Sequence, residues 1–213
     1  MITLYDYFRS TAAYRVRIVL NLKGIDYRQA GVNLLQNEES SPEYRAINPQ
    51  GLVPALDLDG HVLQQSLAIC EYLDERHPEP ALLSDDPLQR AHIRALAQMV
   101  ACDIHPVNNS RILKYLVSEL GVSEAQKLAW YHHWLDEGFR PIEQILQQSA
   151  SDSEFCCGDR PTLADVCLVP QVFNARRFEL DLTPYPTIVR IEQTCLAIDA
   201  FERARPENQP DAV

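Results

Sequence analysis

The segment Arg9-Ser10-Thr11 offers the clearest chemistry in the sequence, because it places one cation and two hydroxyls between a predicted strand and a predicted helix. Residues 2–5 form a short β-type run, and residues 12–23 form a helical stretch followed by a glycine. The N-terminus of a helix has unpaired N–H groups and about half a positive charge, so an anion can bind there. Ser10 or Thr11 can donate a hydroxyl hydrogen bond to that anion, or can simply cap the helix.

The charge around this segment favours an anionic ligand. The formal net charge of the whole chain is −11. Residues 1–28 nevertheless carry five basic side chains against two acidic ones, a local excess of three: Arg9, Arg15, Arg17, Lys23 and Arg28 against Asp6 and Asp26. A basic region on an acidic protein predicts a small anionic ligand, whereas the overall acidity disfavours binding to nucleic acid.

Two further segments could bind other parts of a peptide-like ligand. Val53-Pro54 lies between a glycine-containing loop and a predicted hairpin, so it is a candidate cis peptide whose neighbour could offer backbone groups to an extended peptide. Gln65-Ser66 precedes a helix over residues 67–76, with Ser66 as its predicted N-cap, and is a second anion site suited to a carboxylate. The three segments together favour a short peptide that carries both a carboxylate and a thiolate.

Other kinds of chemistry find little support. The GxSxG, P-loop and GxGxxG motifs are absent, and the six cysteines form no CxxC pair and no metal-ligand spacing, so we expect no metal site. Adjacent His132-His133 do not share a helix face and are expected in solvent. Cys156-Cys157 is either simple packing or a redox pair. Without a signal peptide or an apolar run near ~20 residues, we expect a cytoplasmic protein that has free thiols and does not cross a membrane.

The elements that position these segments fall into two groups. Residues 1–80 follow the order βαβαββα, which predicts a mixed sheet whose first two strands are parallel, and Asp59-Gly60 predicts a hairpin with a type I′ turn. After a proline-containing linker, residues 87–213 predict helices over about 87–118, 123–149, 162–177 and 187–204. Thr162 and Asp165 predict a capping box at the third of these helices. A length of 213 residues accommodates two such domains.

The sequence resembles the zeta class of the glutathione S-transferase family, the maleylacetoacetate and maleylpyruvate isomerases. The resemblance covers nearly the whole chain. The motifs that carry it are RSTAAYRVRI at 9–18, NPQGLVPAL at 48–56, QSLAI at 65–69, DIHPVNN at 103–109, ADVCLVPQV at 164–172, NARRF at 174–178 and DLTPYP at 181–186. The second and third motifs are common to most such transferases, whereas the first and the last indicate the class.

The resemblance implies a glutathione S-transferase fold, in which an α/β thioredoxin-like domain of residues 1–80 precedes an all-α domain of residues 87–213, and it implies a homodimer. It also implies glutathione as the cofactor. Ser10, with Thr11 beside it, would face the glutathione sulfur. The remaining residues implied at the glutathione site are Val53, Pro54, Gln65 and Ser66, together with Asp103, His105, Asn109 and Arg111 on a helix near the dimer interface.

The implied reaction is the cis–trans isomerisation of maleylacetoacetate or maleylpyruvate, in tyrosine or other aromatic-acid catabolism, through reversible addition of a thiolate to the double bond. The substrate would be a small cis-enoic dicarboxylate. Arginine binds carboxylates through two parallel hydrogen bonds, so the candidates are Arg9, Arg176 and Arg177. The resemblance favours Arg9 with Arg177, and Arg176 is expected in solvent. Ala12 stands where the class usually has a cysteine, which puts activities of that thiol in doubt. The alternatives are a general transferase that conjugates electrophiles and a transferase-like protein that only binds.

Overall fold

The computed structural model describes residues 1–149 and 153–212. The chain divides into two compact units: Met1–Leu82 with Leu196–Val213, and Leu83–Cys195. The predicted second domain of residues 87–213 therefore extends further along the chain than the second unit does. The difference arises because the last helix of the chain packs against the first helix.

A four-stranded mixed sheet lies in the first unit. Its strands are β1 (Ile2–Asp6), β2 (Arg28–Gly31), β3 (Ala55–Leu58) and β4 (His61–Gln64), in the spatial order β2-β1-β3-β4. β1 pairs with β2 in parallel, as predicted, and the pairs β1–β3 and β3–β4 are antiparallel. The predicted hairpin turn is also confirmed, since Asp59 has a φ of 53° and Gly60 a φ of 94°, and a type I′ turn needs a positive φ at both central residues.

Three helices alternate with these strands. They are α1 (Thr11–Leu22) after β1, α2 (Pro42–Ile47) after β2 and α3 (Ser66–Arg76) after β4. α1 packs on α3, and Gly24, with a φ of 62°, follows its end as predicted. The core of this unit is formed by fully buried apolar side chains of the sheet, α1 and α3: Leu4, Val16, Ile18, Leu20, Leu56, Ile69 and Leu73. α1 is thus held in a fixed position beside the strand that precedes it.

Arg17 of α1 forms a buried ion pair with Asp6 of β1 and a hydrogen bond with the last helix, α10 (Asp199–Ala204). Arg17 donates from Nη1 to both carboxylate oxygens of Asp6, at 2.9 and 2.7 Å, and from Nη2 to the Phe8 carbonyl at 3.0 Å. Its Nε donates to the Ala204 carbonyl at 2.9 Å. Every guanidinium nitrogen of Arg17 is therefore used, and one of them binds the C-terminal segment to α1.

The second unit is helical. Its helices are α4 (Pro87–Gln98), α5 (His105–Val107), α6 (Ser110–Ser118), α7 (Glu124–Ser149), α8 (Leu163–Arg177) and α9 (Pro186–Leu196), the last reaching the boundary of the unit. Over the described residues, no helix is both long enough and apolar enough to cross a membrane.

Two predicted helices are wrong as single elements. The predicted helix over 87–118 is interrupted by a π-helical segment, Met99–Ile104, and again before α6, where Asn109 accepts a hydrogen bond from the Arg111 N–H at 3.0 Å. The π-helical segment ends at Ile104, which packs closely on Gly138 of α7. A Cβ added to Gly138 would lie 2.2 Å from the Ile104 side chain. The predicted helix over 187–204 breaks into α9 and α10 because Ile198 is extended, with φ −89° and ψ 124°.

The start of α8 confirms the predicted capping box. The Asp165 carboxylate accepts hydrogen bonds from the N–H and the hydroxyl of Thr162, both at 2.8 Å, and from the Cys156 N–H at 2.8 Å. Asp165 is fully buried, and this burial raises the pKa of its carboxyl above the ordinary value. The helix therefore begins on a carboxylate that it supplies itself.

Candidate active site

Three segments singled out from the sequence lie at one end of the sheet. Tyr5, near the end of β1, pairs with Ala55, which opens β3, and Ala55 pairs with Gln64, which ends β4. The chain that leaves β1 toward Ser10, the chain that enters β3 from Val53, and the chain that leaves β4 into Gln65 therefore meet at the same edge.

Ser10 is half-buried and caps α1. Its Oγ accepts a hydrogen bond from the Ala13 N–H at 3.2 Å. A hydroxyl has one donor and two acceptor positions, so this capping bond leaves the Ser10 proton available. The two roles left open by the sequence, capping and anion binding, are thus compatible in one side chain. Thr11 is only 3% exposed, which makes it the less accessible hydroxyl.

Ser10 lies at a helix N-terminus and directly follows an arginine, Arg9. The first turn of α1 contains no acidic residue, so no carboxylate of the helix itself offsets the partial charge of its N-terminus. Arg9 is half-buried, and its guanidinium carbon lies 4.7 Å from the centroid of the Phe8 ring. A small anion is favoured at this position on electrostatic grounds.

The loop before β3 is held by its own side chains. The Tyr44 hydroxyl and the Asn48 Nδ2 both donate to the Leu52 carbonyl at 2.7 Å. Gly51 has a φ of +60°, and a Cβ at this residue would lie 2.7 Å from the Glu39 carbonyl oxygen. Only glycine fits there, so the loop has one well-defined course.

This loop presents Val53 as a backbone edge. The Val53–Pro54 peptide is cis, in agreement with the sequence-based prediction. Among the residues that the structure describes, no hydrogen bond engages the N–H or the C=O of Val53. Both groups can therefore pair with the backbone of an extended peptide.

Gln65 and Ser66 begin α3, but in different roles from those predicted. Gln65 is the N-cap, because its carbonyl accepts the Ile69 N–H at 3.0 Å, and Ser66 is the first helical residue. The Gln65 backbone has a φ of 68°, an unfavourable value for a side chain with a Cβ, and such strain is often found at functional sites. Its Nε2 donates to Gln50 Oε1 at 2.8 Å. The first turn of α3, like that of α1, has no acidic residue.

Arg15 lies directly behind this helix start, and sequence analysis had used it only as part of the local charge. It is 1% exposed, and its Nη1 donates to Ser66 Oγ at 3.1 Å. Its Nε and Nη2 are buried without a hydrogen-bond partner among the described residues. An arginine inside a helix stretch that is otherwise almost entirely apolar was the available signal.

These groups fit the cofactor that the resemblance implies. An available hydroxyl proton lies at one helix start, two backbone groups are unengaged at Val53, and an orphaned buried cation lies behind a second helix start. They match in turn the thiolate, the peptide backbone and a carboxylate of glutathione. The donor set therefore suits a small anionic peptide.

The two arginines at the end of α8 have different environments. Arg176 is exposed, as expected, and it also donates from Nε to both carboxylate oxygens of Glu192 at 3.1 and 3.2 Å. Glu192 is 4% exposed, and its hydrogen bonds raise the pKa of Arg176. Arg177 is exposed, and its guanidinium carbon lies 5.1 Å from the ring centroid of its neighbour Phe178. Both arginines are exposed, and the Arg176 guanidinium is bound to a buried carboxylate.

Contacts with α7 hold the end of α8 in place. The Phe178 ring stacks on Tyr131, with 3.8 Å between centroids, and the Phe178 carbonyl accepts a hydrogen bond from His132 Nε2 at 2.6 Å. His132 is therefore half-buried and used, whereas it had been expected in solvent. These contacts fix the backbone from which the Arg177 side chain extends.

The four remaining candidates lie in one stretch of the second unit. Asp103 belongs to the π-helical segment and is exposed, and His105, which begins α5, is half-buried. Asn109 uses its side-chain oxygen to cap α6, and Arg111, in the first turn of α6, is exposed. π-helical turns often occur at functional sites, and this one redirects the chain between Asp103 and Asn109. A role for these residues in glutathione binding stays a prediction.

The cysteines favour packing over redox chemistry. In the part of the chain that the structure describes, no cluster of three or more His, Cys, Asp or Glu side chains could hold a metal ion. All six cysteines are free. Burial raises the pKa of Cys156, and burial together with Asp165 raises that of Cys157 to about 11, so both are neutral thiols near pH 7.

Comparisons with known proteins agree on one family. The model of the glutathione S-transferase N-terminal domain matches residues 4–81, and that of the C-terminal domain matches residues 129–195. The chain is 50% identical to the maleylacetoacetate isomerase of Pseudomonas aeruginosa, over 98% of this chain and 97% of that one.

Two solved structures are similar over nearly their whole length. One is a bacterial maleylpyruvate isomerase described as a zeta-class glutathione S-transferase, with 48% identity, a TM-score of 0.97, and 99% of this chain and 100% of that chain covered. The other is a maleylacetoacetate isomerase from Methylobacterium extorquens with bound malonate and glutathione, with 42% identity, a TM-score of 0.95 and 99% of each chain covered.

Proposed function

The chain belongs to the glutathione S-transferase family, in its zeta class, and from this premise we propose that it is a glutathione-dependent cis–trans isomerase of maleylacetoacetate or maleylpyruvate. One observation carries the proposal. The hydroxyl proton of Ser10 is not used in capping, at a helix start that has no carboxylate of its own. When bound, glutathione supplies a thiolate that adds reversibly to the cis double bond and so permits its rotation.

Ser10 holds an anion rather than accepting its proton. A free thiol has a pKa of about 8.5, and lowering it by about two units requires about 2.7 kcal/mol of preference for the anion. A hydrogen bond to a charged group contributes about 1.5–3 kcal/mol, and a helix N-terminus about 0.3–1 kcal/mol. Donation from Ser10 Oγ at the start of α1 is therefore sufficient, with Thr11 as the alternative donor.

The other residues of the first unit orient the cofactor. The Val53 N–H and C=O pair with its cysteinyl backbone, beside Pro54. Gln65 and Ser66, at the start of α3, bind its γ-glutamyl group. Each role rests on a backbone group that is unengaged or on a helix start that has no side-chain capping hydrogen bond. Asp103, His105, Asn109 and Arg111 complete the site in a homodimer, the assembly that we propose for this chain, with a cytoplasmic location.

Arginines bind the dicarboxylate substrate. Arg9 lies next to Ser10 in sequence, and Arg177 is exposed at the end of α8. Arg176 is also exposed, and its Nε donates to Glu192. Guanidinium groups meet carboxylates through two parallel hydrogen bonds and also stabilise negative charge that develops toward a substrate carbonyl. Ala12, buried in α1, offers no thiol, so Ser10 has to act without one.

An absorbance assay with each cis-dienoate, in the presence and absence of glutathione, tests the proposal. We expect a fumaryl product to form only when glutathione is present, and the concentration of glutathione to be unchanged at the end. A glutathione conjugate that accumulates with glutathione consumed would instead identify a conjugating transferase. Calorimetry that detects no glutathione binding would favour a protein that only binds other partners. Undiminished turnover after exhaustive dialysis would end the proposal.

A further inference from the structure

Arg15 and Arg17 lie two residues apart on α1 and are equally buried, at 1% and 0% exposure, but only one of them is satisfied. Arg17 uses all three nitrogens, two of its partners being the oxygens of Asp6. Arg15 makes one hydrogen bond, from Nη1 to Ser66 Oγ at 3.1 Å, and its Nε and Nη2 have no partner in residues 1–149 and 153–212. One helix thus contains both a neutralised and an unneutralised buried cation.

An unneutralised buried cation is costly, and this one lies where positive charge already accumulates. Burying a charge without a partner is strongly unfavourable unless an opposite charge comes close. Arg15 contacts the first residue of α3, whose N-terminus carries a partial positive charge and no acidic residue. Two positive groups therefore adjoin in the protein by itself, and an anion at the start of α3 would neutralise both.

We propose that Arg15 is the positioning residue of the carboxylate subsite at Gln65-Ser66, an inference that rests on the proposed binding of glutathione there. By donating to Ser66 Oγ, Arg15 occupies an acceptor position of that hydroxyl. The Ser66 proton therefore points away from Arg15 and is available to a carboxylate. The guanidinium charge strengthens the hydrogen bond from Ser66 to the carboxylate, because donors polarised by a cation bind anions more tightly. Arg15 acts through Ser66 and through its charge.

Calorimetric titration with two ligands separates this role from a general structural one. The ligands are glutathione and its analogue 4-aminobutyryl-cysteinyl-glycine, which lacks only the γ-glutamyl α-carboxylate. We expect Arg15→Met to raise the Kd of glutathione at least tenfold, about 1.4 kcal/mol, and to change the Kd of the analogue less than twofold. Arg15→Lys keeps the charge without the planar fork, and should recover part of the loss.

Two controls are built into the chain. Arg17→Lys removes the other buried guanidinium of α1 and should lower the unfolding midpoint, but leave the Kd of glutathione for the folded protein within twofold. In a Ser66→Ala background, Arg15→Met should weaken glutathione binding less than threefold, because only the contribution of the Arg15 charge remains once the hydroxyl is missing. Equal losses for glutathione and the analogue, or an undiminished Arg15→Met effect in Ser66→Ala, would overturn the proposal.

A measurement on the unaltered protein keeps the inference testable if Arg15→Met does not fold. The Arg15 Nε–H resonance should shift when glutathione is added and stay in place when the analogue is added, and the reverse or equal shifts would contradict the proposal. Failure here is distinct from failure of the proposed function. If the protein binds glutathione and isomerises the substrate but Arg15→Met retains full affinity, only the role of Arg15 is lost.

Discussion

The helices α1 and α8 begin in opposite ways. α8 begins on Asp165, a buried carboxylate that accepts three hydrogen bonds at 2.8 Å from its own neighbourhood. α1 begins on Ser10, a half-buried hydroxyl that accepts one hydrogen bond at 3.2 Å and has no acidic residue in the turn that follows. The start of α8 therefore supplies its own anion, whereas the start of α1 contains none and, in our proposal, receives one from a ligand.

This difference shows how one local element serves either stability or binding. Both starts satisfy backbone N–H groups and both exploit the partial positive charge of the helix. What distinguishes them is whether the neutralising charge belongs to the chain. The comparison can be tested by giving α1 a carboxylate, by removing the carboxylate from α8, and by probing the groups around each.

Ser10→Asp should give the largest effect, since it converts the start of α1 into a start of the α8 kind. Aspartate caps a helix about as well as serine, so the unfolding free energy should change by less than about 1 kcal/mol. The new carboxylate removes the donor and repels an anion, and we expect kcat/KM to fall about a thousandfold. Steady-state kinetics and urea unfolding of the same preparation measure both quantities.

Substitutions that keep or move the hydroxyl define the control. Ser10→Thr retains a donor and should keep most of the rate, and Thr11→Val should change it only a few-fold. Ser10→Ala should lower it about 10- to 100-fold, the loss of a hydrogen bond to a charged group. A Ser10→Ala protein with full rate, together with a Thr11→Ala protein without it, would transfer the donor role to Thr11.

Asp165→Ala should produce the next largest effect, and on stability instead of rate. It leaves the Thr162 N–H, the Thr162 hydroxyl and the Cys156 N–H buried without an acceptor, at an expected cost of about 3 kcal/mol. Urea unfolding measures the loss, and glutathione affinity of the folded fraction should stay within twofold. Asp165→Asn, which keeps one acceptor oxygen, should lose less stability. An Asp165→Ala protein as stable as the parent would show that Asp165 does not stabilise the start of α8.

The end of α8 should be functional although its start is structural. We expect Arg177→Ala to raise KM or lower kcat at least tenfold, about 1.4 kcal/mol, because it removes a carboxylate partner. Arg176→Ala breaks the contact with Glu192 and should reduce stability with less than a twofold change in kinetics. A reversed pair of results, with kinetics sensitive to Arg176 and not to Arg177, would exchange their roles.

The smallest effect concerns the thiol of Cys157, which is influenced by Asp165 at the start of α8. Because the pKa of Cys157 is raised to about 11 by burial and by Asp165, its thiolate fraction and its alkylation rate should rise steadily from pH 7 toward pH 11. Asp165→Asn removes one of these causes, so alkylation of Cys157 at pH 8 should become a few-fold faster. Mass spectrometry of alkylated peptides follows each cysteine, and a Cys157 that reacts fully at pH 7 would contradict the raised pKa.

Local signals in the sequence predicted much of the first unit. Ser10 before an apolar helix, Gly24 after it and Asp59-Gly60 between short strands each act within a few residues, and the structure has a cap, a helix end and a turn at these positions. The Thr162 and Asp165 capping box is equally local. The neighbours of Val53–Pro54 made it only a candidate for a cis peptide, and the structure has it cis.

Features that depend on distant residues were not predictable in the same way. The π-helical segment before His105 ends at Ile104, which packs on Gly138, 34 residues further along the chain. The partner of Arg176 is on another helix, and the burial of Arg15 depends on how α1 packs on α3. Spacing within one segment carries no information on such contacts, which is why Arg15 appeared only as a charge.

The pairing of Arg17 with the Ala204 carbonyl has a consequence for how the protein is made. Residues on both sides of the second unit belong to the first, so the second unit is topologically an insertion. On the ribosome, the opening sheet and α1 emerge long before α10 is synthesised, and the Nε of Arg17 lacks its carbonyl until then. The unit that is translated first is therefore completed last, and a chimaera that preserves it needs two crossover points.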